Sequence, residues 1–290
     1  MTSTYLLTRS APMLFVLIWA TGAIVARLVA PYAEPLTFLL LRYGLTIAVL
    51  AGIALAVQAP WPATRRCWRD AMIAGVLLHG LYLGGMFWSV SSGVPAGIAA
   101  LIAGLQPVAT GLLVGPLLGE HVSHRRWTGI IIGLAGALLV IAPKLGSADG
   151  LEPLPLLVCV LAMLSMTIGT IWQKRTGGRA DLRTSTVVQY LGAAVVTLPV
   201  AFVIEQGRID ASLPFGIGLL WAVFGLSIGG IGFLLFLIRQ GAVAGVAGLF
   251  YLVPPVSALI AYFLFGETLA PVQLAGMGIA VIGIAVAHRD

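Results

Sequence analysis

The second half of the chain repeats the first half. The segment GVPAGIAALIAGLQPV at residues 93–108 returns as GAVAGVAGLFYLVPPV at 241–256, and 7 of the 16 positions are identical. The pair Gly119-Glu120, which follows the first copy, recurs as Gly266-Glu267 after the second, 147 residues later. Two unrelated apolar stretches do not share this many positions together with this spacing. The chain is therefore predicted to contain two copies of one structural unit.

The composition predicts that both copies lie in a lipid bilayer. Hydrophobic residues make up 60% of the chain and charged residues only 9%, which is too little charge to cover a soluble globular protein. A helix needs roughly 20 apolar residues to cross the hydrocarbon core, and long apolar runs differ from the alternating strands of a membrane barrel. Ten such helices are predicted, near residues 12–30, 35–57, 70–90, 95–118, 125–143, 152–172, 184–204, 214–238, 242–265 and 271–287.

Five of these helices fall in residues 1–146 and five in residues 147–290, which are the two predicted repeats. Because five is odd, the second repeat begins on the opposite side of the membrane, so the two repeats are inverted. Inverted repeats are typical of carriers that work by alternating access. The predicted fold is thus an all-α membrane protein, with ten transmembrane helices in two inverted five-helix repeats around a central cavity.

Basic residues predict the orientation. If the N-terminus is cytoplasmic, 12 of the 16 lysines and arginines fall on the inner side, where positive charge is enriched in membrane proteins. The chain is therefore predicted to be a multi-pass protein of the cell (inner) membrane with both termini in the cytoplasm. The charges are scattered over short loops rather than gathered on one face with aromatic residues, so no nucleic-acid partner is expected. The inner set is Arg9, Arg65, Arg66, Arg69, Arg125, Arg126, Lys174, Arg175, Arg179, Arg183, Arg239 and Arg289.

Three features carry a resemblance to a known family. They are the repeated apolar stretch with its Pro and following Gly-Glu, the Arg42-Tyr43 pair in the second helix, and the glycine-rich closing helices. Together they resemble the drug/metabolite transporter superfamily in its ten-helix EamA branch, over nearly the whole chain. The resemblance implies two intertwined five-helix repeats that move small organic solutes. Members carry amino acids, related metabolites, nucleotide sugars or triose phosphates, so the solute stays open.

Prolines interrupt one predicted helix in each repeat. Pro107 lies near the middle of the fourth helix, and Pro254 and Pro255 lie near the middle of the ninth. Because a proline removes a backbone hydrogen bond, a kink or local opening is expected at each place. Matched breaks predict a binding site, and a packing kink is the alternative. Glu120 and Glu267, which end these helices, are predicted to be end caps or gate partners on opposite faces.

Polar side chains within the predicted helices are candidates for the substrate site, because a polar group in lipid costs free energy unless it has a partner or water. His79 and Tyr82 are three residues apart and are predicted to share one face of the third helix. The alternative for His79 is a neutral imidazole satisfied by a neighbouring helix, and for Trp19 a position at the membrane interface. The full predicted substrate site is His79, Tyr82, Gln106, Gln189, Trp19 and Tyr190.

Arg42 is the only clear charge within a predicted span, roughly 10 Å past Pro35 along the helix. It could bind a substrate carboxylate, or it could have a structural role at the outer interface or at the end of a neighbouring helix. Its partner in the second repeat is the neutral Gln189. No Asp or Glu falls in the middle of a predicted span. The substrate is therefore predicted to be neutral or zwitterionic overall.

Small residues recur along the fifth helix at Gly129, Gly133 and Ala137, and less regularly along the tenth at Gly276 and Ala280. Such faces let two helix backbones approach closely in a membrane. Helices five and ten are therefore predicted to be scaffold, or a contact between the two repeats, rather than cavity lining.

An enzymatic function has little support in the sequence. Glu120, His121 and His124 could approach a metal ion, but no further acid or cysteine completes a ligand set, and the metalloprotease spacing is absent. The chain is predicted not to be an enzyme, with a membrane-embedded metal enzyme and a passive channel as remote alternatives. No cofactor or metal is expected.

The predicted function is export of small organic metabolites through the plasma membrane. Amino acids, aromatic ones among them, are the leading substrates, and other uncharged or zwitterionic metabolites or drugs are the alternative. The predicted partners are a small-molecule substrate and the lipid bilayer, and the protein is expected to act as a monomer.

Overall fold

The computed structural model describes residues 2–94, 96–142, 152–177, 180–240, 246, 248–266 and 270–287. Over these residues the chain forms ten helical units, and its only β-type pairing is an isolated bridge between Ala33 and Ile209. Six of the helices are long and apolar enough to cross a membrane. The prediction of an all-α membrane protein is confirmed.

The helices are numbered α1 to α10 in chain order. The first repeat contains α1 (Thr2–Val29), α2 (Pro35–Ala56), α3 (Arg65–Ser91), α4 in two pieces (Ala96–Gly104 and Gln106–Leu118) and α5 (His124–Ile141). The second contains α6 (Pro153–Thr176), α7 (Leu182–Ile204), α8 (Leu213–Gln240), α9, described as a 3-10 turn (Leu249–Leu252) followed by an α-helix (Val253–Phe265), and α10 (Pro271–Ala287).

Helix boundaries recur between the repeats at one constant spacing. The starts of α2 and α7, at Pro35 and Leu182, are 147 residues apart. The second piece of α4 and the α-helical part of α9 share this spacing at both ends, and each is closed by a left-handed glycine, Gly119 with φ 71° and Gly266 with φ 63°. A side chain would be strained there, so glycine ends both helices. The predicted boundary between residues 146 and 147 lies outside the described residues.

Helices α3 and α8 each contain a π-helical segment. The segments are Val76–Leu81 in α3 and Ala222–Gly230 in α8, at matched places in the two repeats. In a π-helix each hydrogen bond spans one more residue than in an α-helix, so the directions of the following side chains are shifted. Residues of α3 before and after the π-helical segment therefore do not share a face as they would in a regular α-helix.

Equivalent helices of the two repeats pack against each other through glycine. A Cβ atom on Gly129 of α5 would lie 2.6 Å from the carbonyl oxygen of Gly283 in α10, and one on Gly276 would lie 2.7 Å from that of Gly136. Only glycine permits such close backbones. The predicted contact of α5 with α10 is confirmed, and these two helices form a scaffold between the repeats.

Loop contacts hold the α1–α2 connection to the α7–α8 connection at one end of the bundle. The Glu205 carboxylate accepts hydrogen bonds from the backbone nitrogens of Leu36 at 2.8 Å and Thr37 at 2.7 Å, and so caps α2 from the other repeat. Glu34 accepts from the backbone nitrogen of Arg208 at 2.8 Å. This hydrogen bond is the main reason that the pKa of Glu34 lies below its usual value.

Contacts at the opposite end join the loops that carry most of the arginines. The Thr184 hydroxyl donates to the carbonyl of Pro60 at 2.8 Å, and Arg239 donates to the carbonyl of Ala180 at 2.6 Å. The α2–α3 and α6–α7 connections and the C-terminal end of α8 therefore lie on one side of the bundle, as the sequence predicts. Which side faces the cytoplasm stays a prediction.

Candidate substrate site

A small internal cavity lies between the two repeats. Tyr82, Ala103 and Gln106 of the first repeat line it, together with Met163, Met166 and Phe250 of the second. Its volume is about 20 Å³, which is room for about one water molecule and far too little for a metabolite. A metabolite therefore does not fit this cavity unless its walls move.

Both helix breaks border this cavity. Helix α4 is interrupted at Leu105, with the lining residues Ala103 and Gln106 on either side of the interruption. Phe250 lies in the 3-10 turn that precedes the α-helical part of α9. Residues 103 and 250 are themselves 147 residues apart, so the repeat places one lining residue at each break.

The prolines start new helical segments rather than kinking continuous ones. Pro107 is the second residue of Gln106–Leu118, and Pro254 and Pro255 are the second and third residues of Val253–Phe265. A helix has no internal partner for the N–H groups of its first turn, so proline is tolerated there. The helix boundaries match Pro107 with Pro254, whereas the sequence alignment had matched it with Pro255.

Gln106 presents an unsatisfied acceptor at the cavity. Its Nε2 donates to Thr110 Oγ1 at 3.2 Å, and the Thr110 hydroxyl donates back to the carbonyl of Gln106 at 2.9 Å. These bonds fix the amide, while its Oε1 is buried and has no hydrogen-bond partner in the part of the chain that the structure describes. Buried acceptors are rarely left so in proteins, so this oxygen is suited to bind a donor on a solute.

Aromatic rings form the wall behind Phe250. The rings of Phe15, Trp19 and Phe250 pack with centroids 5.1 to 5.4 Å apart, and Phe250 meets Trp19 nearly at a right angle. Tyr82 packs against the same hydrophobic cluster. Trp19 is therefore placed one layer behind the cavity, in contact with the lining residue Phe250.

The structure separates His79 from Tyr82, although the sequence predicts that they share a face. His79 is the fourth residue of the π-helical segment of α3, and Tyr82 follows that segment directly. The wider turns of the π-helix end the alignment expected for residues three apart in an α-helix. Tyr82 lies at the cavity with Gln106, whereas His79 stacks on Tyr190 with ring centroids 4.5 Å apart.

His79 belongs to a buried polar group that also contains Arg42, Gln189, Tyr190 and Ser227, here named the Arg42 cluster. Arg42 is 4% exposed and donates from Nε to the Ser227 hydroxyl at 2.7 Å, so it does not extend to the membrane interface. The Gln189 amide donates from Nε2 to Gln173 Oε1 at 3.1 Å.

The alternative of a neutral imidazole satisfied by a neighbouring helix stays open, since His79 lies beside Gln189 of α7. The Tyr43 hydroxyl donates to the backbone carbonyl of His79 at 2.8 Å, but neither ring nitrogen of His79 has a hydrogen-bond partner among the described residues. The cluster is therefore rich in polar atoms that could still bind a ligand.

Of the two predicted gate residues, the structure describes only Glu120. Glu120 lies in the connection between α4 and α5 and is half-buried, and Glu267 lies outside the described residues. The described part of the chain contains no group of three His, Cys, Asp or Glu side chains that could hold a metal ion. The metal-site alternative at Glu120, His121 and His124 therefore has no structural support.

Several residues of the two sites were missed from the sequence. Phe250, Met163 and Met166 are apolar and resemble ordinary core residues, so no chemical signal distinguishes them. The repeat offers one signal, since Phe250 is the partner of Ala103 beside the break in α4. Ser227 has no such signal, because its partner in the first repeat is a glycine.

The EamA-like transporter family model matches the chain twice, over residues 10–142 and 153–288. The chain belongs to this family. The two matches correspond to the helices α1 to α5 and α6 to α10, in agreement with the recurring helix boundaries. Proteins of this family are transporters, so the protein is a multi-pass membrane transporter of small molecules and not an enzyme.

Known proteins resemble the chain over most of its length. The uncharacterized inner membrane transporter YedA of Escherichia coli is 28% identical over 92% of this chain and 86% of its own. A probable amino-acid metabolite efflux pump of Salmonella typhimurium is 26% identical over 69% of each chain. One crystal structure, 21% identical and covering 96% of this chain and 95% of its own, superposes with a TM-score of 0.74, which supports the fold alone.

Proposed function

We propose that the protein exports small zwitterionic metabolites, amino acids foremost, by alternating access, and that the cavity beside Tyr82 and Gln106 is its substrate site. One observation carries this proposal. The cavity is lined by both repeats and lies between both helix breaks, which is where carriers built from inverted repeats bind their solutes.

The lining residues suit an amino acid. A substrate ammonium group can donate to the unsatisfied Oε1 of Gln106. The rings of Tyr82 and Phe250, with Trp19 behind them, offer an apolar and aromatic surface for the side chain. Met163 and Met166 are flexible and polarisable, so they can adapt to side chains of different shape. Aromatic amino acids fit this lining best.

The absence of a central acid argues against an exchanger of organic cations. The seven Asp and Glu residues that the structure describes all lie in connections, at helix caps, or in the first two turns of a helix. A permanent cation would have no opposite charge at the cavity. A neutral or zwitterionic solute needs none, and uncharged metabolites or drugs are the alternative substrates.

The cavity must enlarge for the proposed transport. We infer that the breaks at Leu105 and at Leu249–Leu252 let the neighbouring helix segments move, with Pro107, Pro254 and Pro255 holding the start of each segment. In this scheme the repeats, residues 1–146 and 147–290, are the two moving bodies. Glu120 and Glu267 are then gate or cap residues at opposite ends, and α5 and α10 stay packed together.

The proposed location is the cell (inner) membrane, with both termini cytoplasmic and the protein acting as a monomer. The distribution of basic residues supports this orientation, and the printed name of YedA supports the membrane. Reporter fusions test it. A fusion after Arg183 should lie in the cytoplasm and one after Asp210 outside, and the reverse pair of results would invert the topology.

Counterflow in proteoliposomes tests the function. Vesicles loaded with unlabelled phenylalanine should accumulate labelled phenylalanine, which a channel or an enzyme would not cause. Replacing Tyr82 with Ala, or Gln106 with Leu, should raise the half-saturating concentration roughly tenfold. Leu112→Ala is the matched control, because Leu112 lies on the same helix piece as Gln106 and is 63% exposed. Absence of counterflow with every amino acid would overturn the amino-acid proposal.

A further inference from the structure

Arg42 is a buried cation without a counter-charge. It lies roughly 10 Å from the start of α2 at Pro35, within the span. Its one well-aligned side-chain hydrogen bond to the described residues runs from Nε to Ser227, and none of the carboxylates that the structure describes forms an ion pair with it. The other four N–H donors of the guanidinium are thus available. A buried charge is costly unless it is paired, so an anionic partner is expected.

Neighbouring polar atoms are buried and unsatisfied as well. Among the described residues, no well-aligned hydrogen bond reaches either ring nitrogen of His79 or the hydroxyl of Tyr190, and both residues are fully buried. The Tyr190 hydroxyl lies close to Arg42 and Ser227. An imidazole N–H and a phenolic O–H are donors that an anion accepts from. Three side chains whose donors lack well-aligned partners therefore meet at one buried place.

The repeat shows that the fold does not need this polar group. The positions matched to Arg42 and His79 carry Gln189 and Leu226 in the second repeat, and the position matched to Ser227 carries Gly80 in the first, so the charge, the imidazole and the hydroxyl each occur at only one of two equivalent places. Packing demands are similar in the two repeats, because the helix boundaries are the same. The polar residues are therefore better explained by a ligand than by packing.

We propose that the Arg42 cluster binds one monovalent anion, which is either free chloride or the carboxylate of a bound solute. The guanidinium supplies the charge, and the Tyr190 hydroxyl and the His79 N–H supply further hydrogen bonds. Gln189 holds the site through its bond to Gln173 and through its contact with His79. The site is separate from the cavity at Tyr82 and Gln106, and as a site for chloride it does not depend on the exported solute.

Thermal unfolding of the detergent-purified protein tests the proposal. Sodium chloride and sodium formate are titrated at constant ionic strength, which sodium sulfate maintains, and L-phenylalanine is compared with L-phenylalaninamide. A saturable rise in Tm with chloride and formate identifies a free-anion site. A rise with phenylalanine, but not with its amide or the small anions, identifies the solute carboxylate. A wild-type protein whose Tm responds to none of these compounds would overturn the proposal.

Variants assign the effect to the cluster. Arg42→Gln introduces the residue that the second repeat already has, and it should weaken the apparent affinity for the anion about tenfold or more. Arg175→Gln removes an exposed charge and should leave the affinity unchanged. An Arg42→Gln protein with wild-type anion affinity would refute the site.

If Arg42→Gln does not fold, Ser227→Ala keeps the charge and should weaken binding by roughly threefold, and an unchanged affinity would count against the proposal. If the protein binds the anion but shows no counterflow of amino acids, only the proposal about the exported solute is rejected, and the anion site stands.

Discussion

The rings of Tyr43 and Tyr190, which hold the same position in the two repeats, meet with their centroids 5.3 Å apart. Helices α2 and α7, which are equivalent in the two repeats, therefore contact each other through these rings. The hydroxyl groups do not follow this symmetry. That of Tyr43 donates to the carbonyl of His79, whereas that of Tyr190 has no hydrogen-bond partner among the described residues.

This difference predicts unequal effects of removing the two hydroxyls. Tyr43→Phe should lower the free energy of unfolding by about 1 kcal/mol, because a buried carbonyl loses its donor. Tyr190→Phe, measured without chloride or a carboxylate, should leave stability close to that of the wild type, since no well-aligned hydrogen bond to a described residue is lost. Chemical denaturation in detergent measures both variants. Equal losses would show that the Tyr190 hydroxyl has a partner after all.

The break in α4 predicts a selective effect at Pro107. Pro107→Ala restores an N–H next to Leu105 and favours one continuous helix, so transport should fall roughly tenfold while the amount of folded protein stays the same. Pro116→Ala is the control, because Pro116 lies in the same helix piece on an exposed face. Counterflow rates divided by the amount of monodisperse protein report the effect. Wild-type transport rates for Pro107→Ala would show that the break in α4 serves packing and not transport.

The contact between α5 and α10 predicts intolerance at Gly276. A side chain there would clash with the backbone of Gly136 and should destabilise the protein by about 1–3 kcal/mol. Two residues on, Gly278 has no atom within 4 Å of its would-be Cβ, so Gly278→Val should be tolerated. Thermal unfolding of Gly276→Val and Gly278→Val compares the two positions. Similar melting temperatures would mean that the helices separate easily.

The Glu34 contact predicts a dependence on pH. Backbone hydrogen bonding from Arg208 holds the pKa of Glu34 below its usual value of 4.5. A lowered pKa in the folded state stabilises the protein above pH 4.5, and this contribution disappears as the pH falls through the lowered value. Glu34→Gln should therefore be less stable than the wild type at pH 7 and equal to it in sufficient acid. A difference in Tm that does not change with pH would refute the role of the charge.

The sequence predicted the helices and the repeat well because both depend on patterns that extend over many residues. Apolar runs of about 20 residues and a spacing of 147 are not obscured by a local irregularity. The site was harder to predict, since it depends on side-chain directions. One π-helical segment was enough to separate His79 from Tyr82, and no residue in Val76–Leu81 signals such a turn.

The prolines illustrate the same limit on a smaller scale. Their positions correctly indicated where α4 and α9 are interrupted, because a proline cannot continue a backbone hydrogen-bond ladder. The sequence could not distinguish a kink within one helix from the start of a new one. That distinction depends on the neighbouring turn, Leu105 in α4 and Leu249–Leu252 in α9, whose residues are ordinary helix formers.

The paired π-helical segments belong to the repeated unit. Val76–Leu81, moved by 147 positions, falls entirely inside Ala222–Gly230. Each half of the protein therefore carries the same irregular turn at the same place in its third helix, as a property of the unit and not of one half.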